Sequence, residues 1–329
     1  MPTVRVCRAA DRHERAQARM NPPSPLRAAL FVTGGAVMIS FAAIFARLAD
    51  VAPTTSGFYR LFFGSLGLAM LLLISRDMRT GFSRNWSGSI VIALLFTADI
   101  WFWHRSIIYI GPGLSTLLAN FQVFILTAVG VIWLRERVGW RFASGLGLAS
   151  IGLWLLFGRD WANLSGDFRL GIGLGLLTAL AYGLYLLSLR GYQIRHPGIR
   201  PEARLAQVSI CCAIMLGLIN LSEGNSFAIP DAQSLAALVA LGLLCQVLGW
   251  LLITRGMPFL PAAIVGLLLL LQPSLSIVWD MLIFGLRLGA LQVVGALLAL
   301  AGIYLGFRSA ARRRAGGAPE DVRKQRDDD

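Results

Sequence analysis

The sequence predicts an all-α integral membrane protein with ten transmembrane helices, arranged as two inverted five-helix repeats. Three observations predict this fold class: the composition, a series of long apolar segments, and a repeat at a constant offset. The chain has 329 residues, of which 56% are hydrophobic and only 14% are charged. That is too little polar surface to cover a water-soluble globule of this size, so the lipid bilayer is the expected surrounding.

Ten segments are long and apolar enough to be transmembrane helices, which need about 20 mostly apolar residues each. The segments are continuous and rich in Leu, Ala and Gly, without the alternation of a lipid-facing strand, which favours helices over a β-barrel. The predicted helices 1 to 10 span residues 27–49, 56–75, 88–110, 113–134, 138–157, 169–190, 203–222, 233–254, 261–284 and 288–307.

The basic residues indicate the topology. A net charge of +13 would favour nucleic-acid binding in a soluble protein, but here the charges follow the predicted loops, so no nucleic-acid partner is expected. With a cytoplasmic N-terminus, the cytoplasmic side holds all of the 30 basic residues except Arg47, Arg60, Arg105, Arg159, Arg169 and Arg287. Positive residues accumulate in cytoplasmic loops, so both termini are predicted to be cytoplasmic. Arginine accounts for almost all of these residues, which favours a bacterial inner (cell) membrane.

The two ends of the chain are predicted to be tails. Residues 1–26 form a basic cytoplasmic tail without the apolar core of a signal peptide, and Met20 is an alternative start. Residues 308–329 form a disordered cytoplasmic tail. The four cysteines suggest neither a disulfide framework nor a metal site, and no phosphate-binding glycine loop is present. We therefore expect no cofactor, no metal and no ATP site.

The second half of the chain repeats the first at an offset of 150 residues. Informative residue types coincide at this offset, including Arg105 with Arg255, Gln122 with Gln272, Gly139 with Gly289 and Gly145 with Gly295. The repeats comprise residues 27–157 and 158–307. Because each contains an odd number of helices, the second must enter the membrane from the opposite side. Such inverted repeats are typical of carriers, which rock about a site near the middle of the bilayer.

Several short segments resemble the EamA-type family of the drug/metabolite transporter superfamily. They are Ala-Asp-Ile-Trp-Phe-Trp-His at 98–104, Leu-Leu-Ala-Asn-Phe at 117–121, Leu-Arg-Glu-Arg at 134–137, Leu-Gln-Pro at 271–273 and the glycine-spaced run 289–306. The resemblance implies ten helices with both ends inside the cell and a central cavity. It favours a secondary transporter that exports a small organic, amino-acid-like metabolite by alternating access, coupled to protons. The alternative is an uptake carrier for a nucleoside-like or vitamin-like compound.

The first candidate site residues are charged groups inside predicted helices. Asp99 lies in the middle of helix 3, where a carboxylate costs about 2.5–3.5 kcal/mol to insert. It could exchange a proton or pair with a substrate amine, or it could be a structural partner of Arg60 or Arg105. Trp103 follows Asp99 by four residues and shares its helix face. Arg60, near the start of helix 2, needs an anionic partner if it lies in the membrane.

Two polar stripes complete the predicted substrate cavity. Thr116 and Asn120 lie on one face of helix 4, and Gln272, Ser276 and Asp280 recur every four residues on helix 9. Because helices 4 and 9 correspond in the two repeats, a shared cavity between them is predicted. The alternative is that these groups only join helices, at about 0.6 kcal/mol per hydrogen bond.

Arg105 and Arg255 are gate candidates, because inversion places these two helix ends on opposite faces of the membrane. The alternative is that they extend to the lipid headgroups. The glycines of helices 5 and 10 allow close helix packing, within the chain or in a homodimer. No catalytic constellation accompanies the intramembrane carboxylates, so an enzyme is not expected. A channel would need rings of like groups rather than asymmetric stripes.

Overall fold

A computed structural model of the chain describes residues 24–74, 86–122, 124, 140–158, 163–195, 201–256, 268–269 and 271–316. These residues form helices joined by short connections, and no strand occurs among them. The predicted tails at 1–23 and 317–329, and the second half of predicted helix 4, lie outside the described residues. The described part is therefore all-helical, as the sequence predicts.

The helices are labelled α1 to α10 in chain order, so that the labels follow the predicted helices. The first five are α1 (Pro25–Ser40 and Ala42–Leu48, bent at Phe41), α2 (Pro53–Ile74), α3 (Trp86–Ile110), α4 (Pro112–Ala119) and α5 (Trp140–Leu153, continued by a π-helical turn, Trp154–Gly158). The others are α6 (Gly166–Arg195), α7 (Pro201–Ser222), α8 (Ala232–Ala240, π-helical Leu241–Gly249 and Trp250–Gly256), α9 (Leu271–Phe284) and α10 (Ala290–Gly316).

Six helical segments of the described residues are long and apolar enough to cross a membrane. These are Leu26–Leu48, Pro53–Ile74, Trp86–Ile110, Gly166–Leu189, Glu202–Ser222 and Ala232–Ile253. Shorter apolar helices occur at Ala143–Leu156, Leu271–Phe284 and Ala290–Leu305. The membrane-protein class is thus supported by six clear spans, whereas the full set of ten stays a prediction.

The last helix continues beyond its predicted end. Residues 308–316 were predicted to begin a disordered tail, but α10 runs to Gly316. This stretch contains Ala310, Ala311, Ala315 and a run of arginines at 312–314. Alanine and arginine are among the best helix formers, so the helix continues although its apolar run has ended.

The outer surface of the bundle is apolar. Large aliphatic side chains are exposed on several helices, among them Met70 (64%), Leu94 (60%), Leu218 (62%) and Leu282 (72%). In water a protein with such a surface would aggregate, whereas in a bilayer these side chains face the lipid. Polar groups, by contrast, are buried inside, which is where a transport site has to lie.

Glycines bring α5 and α10 into close contact within the chain. A Cβ atom on Gly152 would lie 2.5 Å from the carbonyl oxygen of Gly295, and one on Gly302 would lie 2.5 Å from that of Gly145. Small residues allow helix backbones to approach this closely. The glycine faces are therefore used in intrachain packing, and the predicted homodimer through helices 5 and 10 would need other faces of these helices.

Candidate transport site

Arg60 is buried between three helices. Only 6% of this residue is exposed. Its Nε donates a hydrogen bond to Oε1 of Gln246 on α8 at 3.2 Å, and its Cζ lies 5.4 Å from the centre of the Trp103 ring on α3. The amide and the ring face thus hold the guanidinium from two sides. We call Arg60, Asp99, Trp103 and Gln246 the charged cluster.

Asp99 is the acidic member of this cluster. It lies one helical turn before Trp103 and is 6% exposed. Arg60 and Asp99 act on each other electrostatically, but no ion pair within 4.0 Å joins them. Within the described residues no donor is hydrogen-bonded to its carboxylate. The cluster therefore holds two opposite charges that are buried close together without direct contact.

Aromatic rings of α3 and α6 line the region next to Asp99. The ring of Tyr185 stacks on Phe96 at 4.5 Å and on Tyr182 at 6.0 Å. Asp99 acts electrostatically on both tyrosines, which places them near the carboxylate. A charged site with an aromatic wall is typical of pockets that bind small organic molecules.

The two predicted polar stripes contact each other, and their side chains form hydrogen bonds within α4 and between α4 and α9. Oγ of Ser276 donates to the carbonyl of Pro112 at 3.2 Å and lies 3.3 Å from Oγ1 of Thr116. Thr116 also donates to the carbonyl of Pro112, and Nδ2 of Asn120 donates to the carbonyl of Thr116 at 2.8 Å. These groups satisfy helix carbonyls and join α4 to α9, which matches the alternative role considered for them.

Asp280 caps α4 instead of joining the charged cluster. The turn between α3 and α4 contains Gly111 at φ +84°, and Oδ2 of Asp280 accepts a hydrogen bond from the backbone N–H of Gly113 at 2.9 Å. Its Oδ1 lies 3.4 Å from NH1 of Arg47. A carboxylate at a helix N-terminus accepts a hydrogen bond from an otherwise unpaired N–H group and interacts favourably with the positive end of the helix dipole. Gln272, on the same face of α9, makes no hydrogen bond within the described residues.

A second polar cluster lies at the end of α3 and is centred on Glu223. Its Oε1 accepts from Arg105 at 2.5 Å and from Nε1 of Trp101 at 2.9 Å. Its Oε2 accepts from Thr54 at 2.6 Å and from Asn225 at 2.8 Å. We call these five residues the clasp. It ties the start of α2 and the end of α3 to the residues that follow α7.

The clasp keeps its carboxylate charged. Burial alone would raise the pKa of Glu223, but the hydrogen bonds from Thr54 and Trp101 and the positive charge of Arg105 outweigh burial and lower this pKa. The guanidinium also stacks on Trp101, with Cζ 3.7 Å from the ring centre. A surface pocket of about 430 Å³ opens beside the clasp, lined by Pro53, Arg105, Ile108, Tyr109, Glu223 and Asn225.

The two gate candidates have different surroundings. Arg105 is part of the clasp, whereas Arg255 is exposed and forms no ion pair or hydrogen bond within the described residues. Although Arg105 and Arg255 correspond in the two repeats, they therefore make different contacts. The exposed position of Arg255 matches the alternative in which it extends to the headgroups.

Five residues of these clusters were not predicted as site residues: Gln246, Glu223, Thr54, Trp101 and Asn225. Gln246 is an amide in the otherwise apolar run of α8, and this contrast alone could have marked it as a site residue. Glu223 follows the last turn of α7 in a polar connection, where an acidic residue is ordinary. Its role depends on contacts with α2 and α3, which no local pattern predicts.

The helical bundle, its apolar outer surface and the buried charged cluster define an integral membrane protein of the transporter class. The chain belongs to the EamA-like transporter family, whose model matches residues 26–158 and again 169–308. The double match fits a two-repeat architecture, and membership makes the chain a transporter rather than an enzyme.

Two further comparisons show what the chain is similar to in sequence and in fold. The chain is 26% identical over 216 residues to a protein of Salmonella typhimurium named "Probable amino-acid metabolite efflux pump", covering 62% of this chain and 71% of the relative. A solved structure titled only "Crystal structure of protein" is similar in fold, with a TM-score of 0.63 at 15% identity. The match covers 87% of this chain and 98% of that one.

Proposed function

We propose that this protein is a secondary transporter that exports a small, amino-acid-like organic metabolite from the cell by alternating access, driven by protons. The observation that carries the proposal is the charged cluster. Inserting an arginine or an aspartate at the centre of a membrane helix costs about 2.5–3.5 kcal/mol each. Asp99 lies at such a position and Arg60 is buried near the start of α2, yet the two do not form the ion pair that a purely structural role would favour.

The proton-coupling role belongs to Asp99. A buried carboxyl group without a hydrogen-bond donor can exchange a proton when water, a cation or a substrate amine reaches it. Exchange of its proton is therefore tied to opening of the bundle. Buried acidic residues of this kind are common in proton-driven carriers.

The clasp supports alternating access, because it joins the ends of three helices and would close one end of the bundle. Five groups from three parts of the chain converge there, and the closure is made of hydrogen bonds and one ion pair that can be broken and re-formed. With both termini cytoplasmic, as predicted from the basic residues, this end would lie on the extracytoplasmic side. In this conformation Arg105 acts as the outer gate, and the substrate would be released when the clasp opens.

Export of an amino-acid-like compound is further supported by the name of the Salmonella relative. The second candidate, uptake of a nucleoside-like or vitamin-like compound, is favoured by the stacked rings of Phe96, Tyr185 and Tyr182. A flat heteroaromatic ring could stack on such a wall.

The test is a comparison of metabolites in the medium and in cell extracts of a bacterium that overexpresses the protein. Wild type is compared with Asp99→Asn at equal membrane abundance, and Asp167→Asn, an exposed residue at the start of α6, serves as the control. A compound that accumulates outside with the wild type and the control, but not with Asp99→Asn, would establish export and identify the substrate. Depletion of a compound from the medium would favour uptake. No difference between Asp99→Asn and the wild type would refute the role of Asp99.

A further inference from the structure

The charged cluster offers free hydrogen-bond donors on one side and a free acceptor on the other. On the donor side, Arg60 uses its Nε for Gln246, and no hydrogen bond of its two terminal nitrogens occurs within the described residues. Nε2 of Gln246 is fully buried and has no partner either. On the acceptor side, no donor from the described part of the chain is hydrogen-bonded to the carboxylate of Asp99.

This arrangement is costly for an empty site. A buried polar group without a hydrogen bond is destabilising, and an unpaired buried charge is more so. The neighbouring opposite charges could relieve the cost by forming an ion pair. They do not, because Gln246 and the ring face of Trp103 hold the guanidinium in another position. The unused donors of Arg60 and Gln246, together with the unused acceptor of Asp99, match a third party that carries both charges.

We propose that the charged cluster recognises a zwitterion, with Arg60 and Gln246 donating to its carboxylate and Asp99 accepting from its ammonium group. Recognition requires both charges, so amines without a carboxylate and acids without an amine are poor ligands. Gln246 is a positioning residue, since it orients Arg60 as well as contributing a donor. This inference rests on the proposed transport function and specifies its substrate class.

The remainder of the ligand should be uncharged. Among the described residues, the other buried carboxylate is Asp280, which is engaged by Gly113 and Arg47. The region next to Asp99 is instead lined by Phe96, Tyr182 and Tyr185. An apolar or aromatic side chain packs well against such rings, whereas a third charge would be buried without a partner.

The test measures ligand binding to the purified full-length protein in lipid nanodiscs. The probes are the uncharged proteinogenic amino acids, each with its amide, which keeps only the ammonium group, and its N-acetyl derivative, which keeps only the carboxylate. We expect at least one amino acid to bind and both of its derivatives to bind at least tenfold more weakly. Derivatives that bind as tightly as the parent would overturn the proposal, and this comparison needs no variant to fold.

Variants then separate the two sides of the cluster. Asp99→Asn should weaken binding of the amino acid at least tenfold and leave binding of the N-acetyl derivative unchanged. Arg60→Gln should weaken binding of the amino acid and leave binding of the amide unchanged. Gln246→Met keeps the side-chain volume and should change binding of the three probes in the same way as Arg60→Gln. The melting temperature of the ligand-free protein should stay unchanged. Equal losses of affinity for all three probes would contradict the positioning role of Gln246.

The outcomes distinguish this inference from the proposed function. If no amino acid binds while the metabolite comparison shows export that depends on Asp99, the protein is an exporter and the zwitterion inference is wrong. If amino acids bind but no compound moves in either direction, recognition stands and the transport proposal fails.

Discussion

Replacing Glu223 by glutamine should loosen the clasp and expose the charged cluster. The substitution keeps the shape of the side chain but removes the negative charge that Arg105 faces. It also turns an NH₂ group either toward Arg105 and Trp101 or toward Thr54 and Asn225, which are themselves donors. Hydrogen bonds to charged groups contribute about 1.5–3 kcal/mol. Because the side chains of Arg105 and Glu223 are 21% and 23% exposed, the lower part of this range applies. A loss of about 1–2 kcal/mol raises the population of the open form roughly 5–30-fold.

Cys245 provides the reporter for this prediction. It is fully buried beside Gln246, and its thiol donates to the carbonyl of Met38 at 3.2 Å. In a background in which the cysteines at 7, 211 and 212 are replaced, the rate of labelling by a membrane-impermeant thiol reagent added outside intact cells measures access to the cluster. We expect this rate to rise roughly 5–30-fold in Glu223→Gln, in proportion to the open population.

The matched control is Asp50→Asn. Asp50 is an exposed acid in the connection before α2, and its side chain makes no hydrogen bond within the described residues. Labelling that stays at the wild-type rate in Glu223→Gln would refute the reasoning, because the clasp would then not close the path to the cluster. An equal increase in Asp50→Asn would assign the effect to the loss of surface charge.

Three further predictions concern pH, helix capping and packing. Because the pKa of Glu223 is lowered in the folded protein, its contribution to the clasp is complete above the ordinary value of about 4.3 and is lost as pH falls through the lowered value. The rate of labelling of Cys245, divided at each pH by the rate for a free thiol to account for thiol ionisation, should therefore be flat from about pH 5 to 8. Asp280→Ala leaves the buried N–H of Gly113 without its acceptor and should destabilise the protein by about 1–3 kcal/mol, measured by chemical unfolding, with ligand binding retained in the folded fraction. Gly152→Val should prevent packing of α5 on α10 and abolish the monodisperse peak in size-exclusion chromatography, whereas Gly147→Val, which has open space around its Cα, should not.

The helices could be predicted from the sequence because hydropathy is a local property. The described bounds of α3, α6, α7 and α8 lie within a few residues of the predicted ones. Where the described helix runs further, as at Gly316, helix propensity continues after hydropathy has ended. Hydropathy therefore identifies helices well, but the end of an apolar run does not mark the end of the helix.

The partners of the polar residues could be predicted only in part. Periodicity placed Asp99 and Trp103 on one face of α3, and the structure brings both next to Arg60. Periodicity also grouped Asp280 with Ser276, yet these residues serve α4 as a cap and a link, because a short helix after a tight glycine turn has free N–H groups to satisfy. The pairing of Arg105 with Glu223 joins residues more than 100 positions apart, beyond the reach of any sequence period.

The π-helical stretch of α8 changes how the faces of this helix must be assigned. Five of its buried residues recur at intervals of four over the whole element: Ala237, Leu241, Cys245, Gly249 and Ile253. On a regular α-helix a step of four residues advances about 40° beyond a full turn, so these five positions would spread over about 160°. Wider π-helical turns absorb this drift and keep the stripe on one side. A helical wheel drawn at the usual angle would assign part of the stripe to the lipid, and any redesign of this helix should follow the period of four.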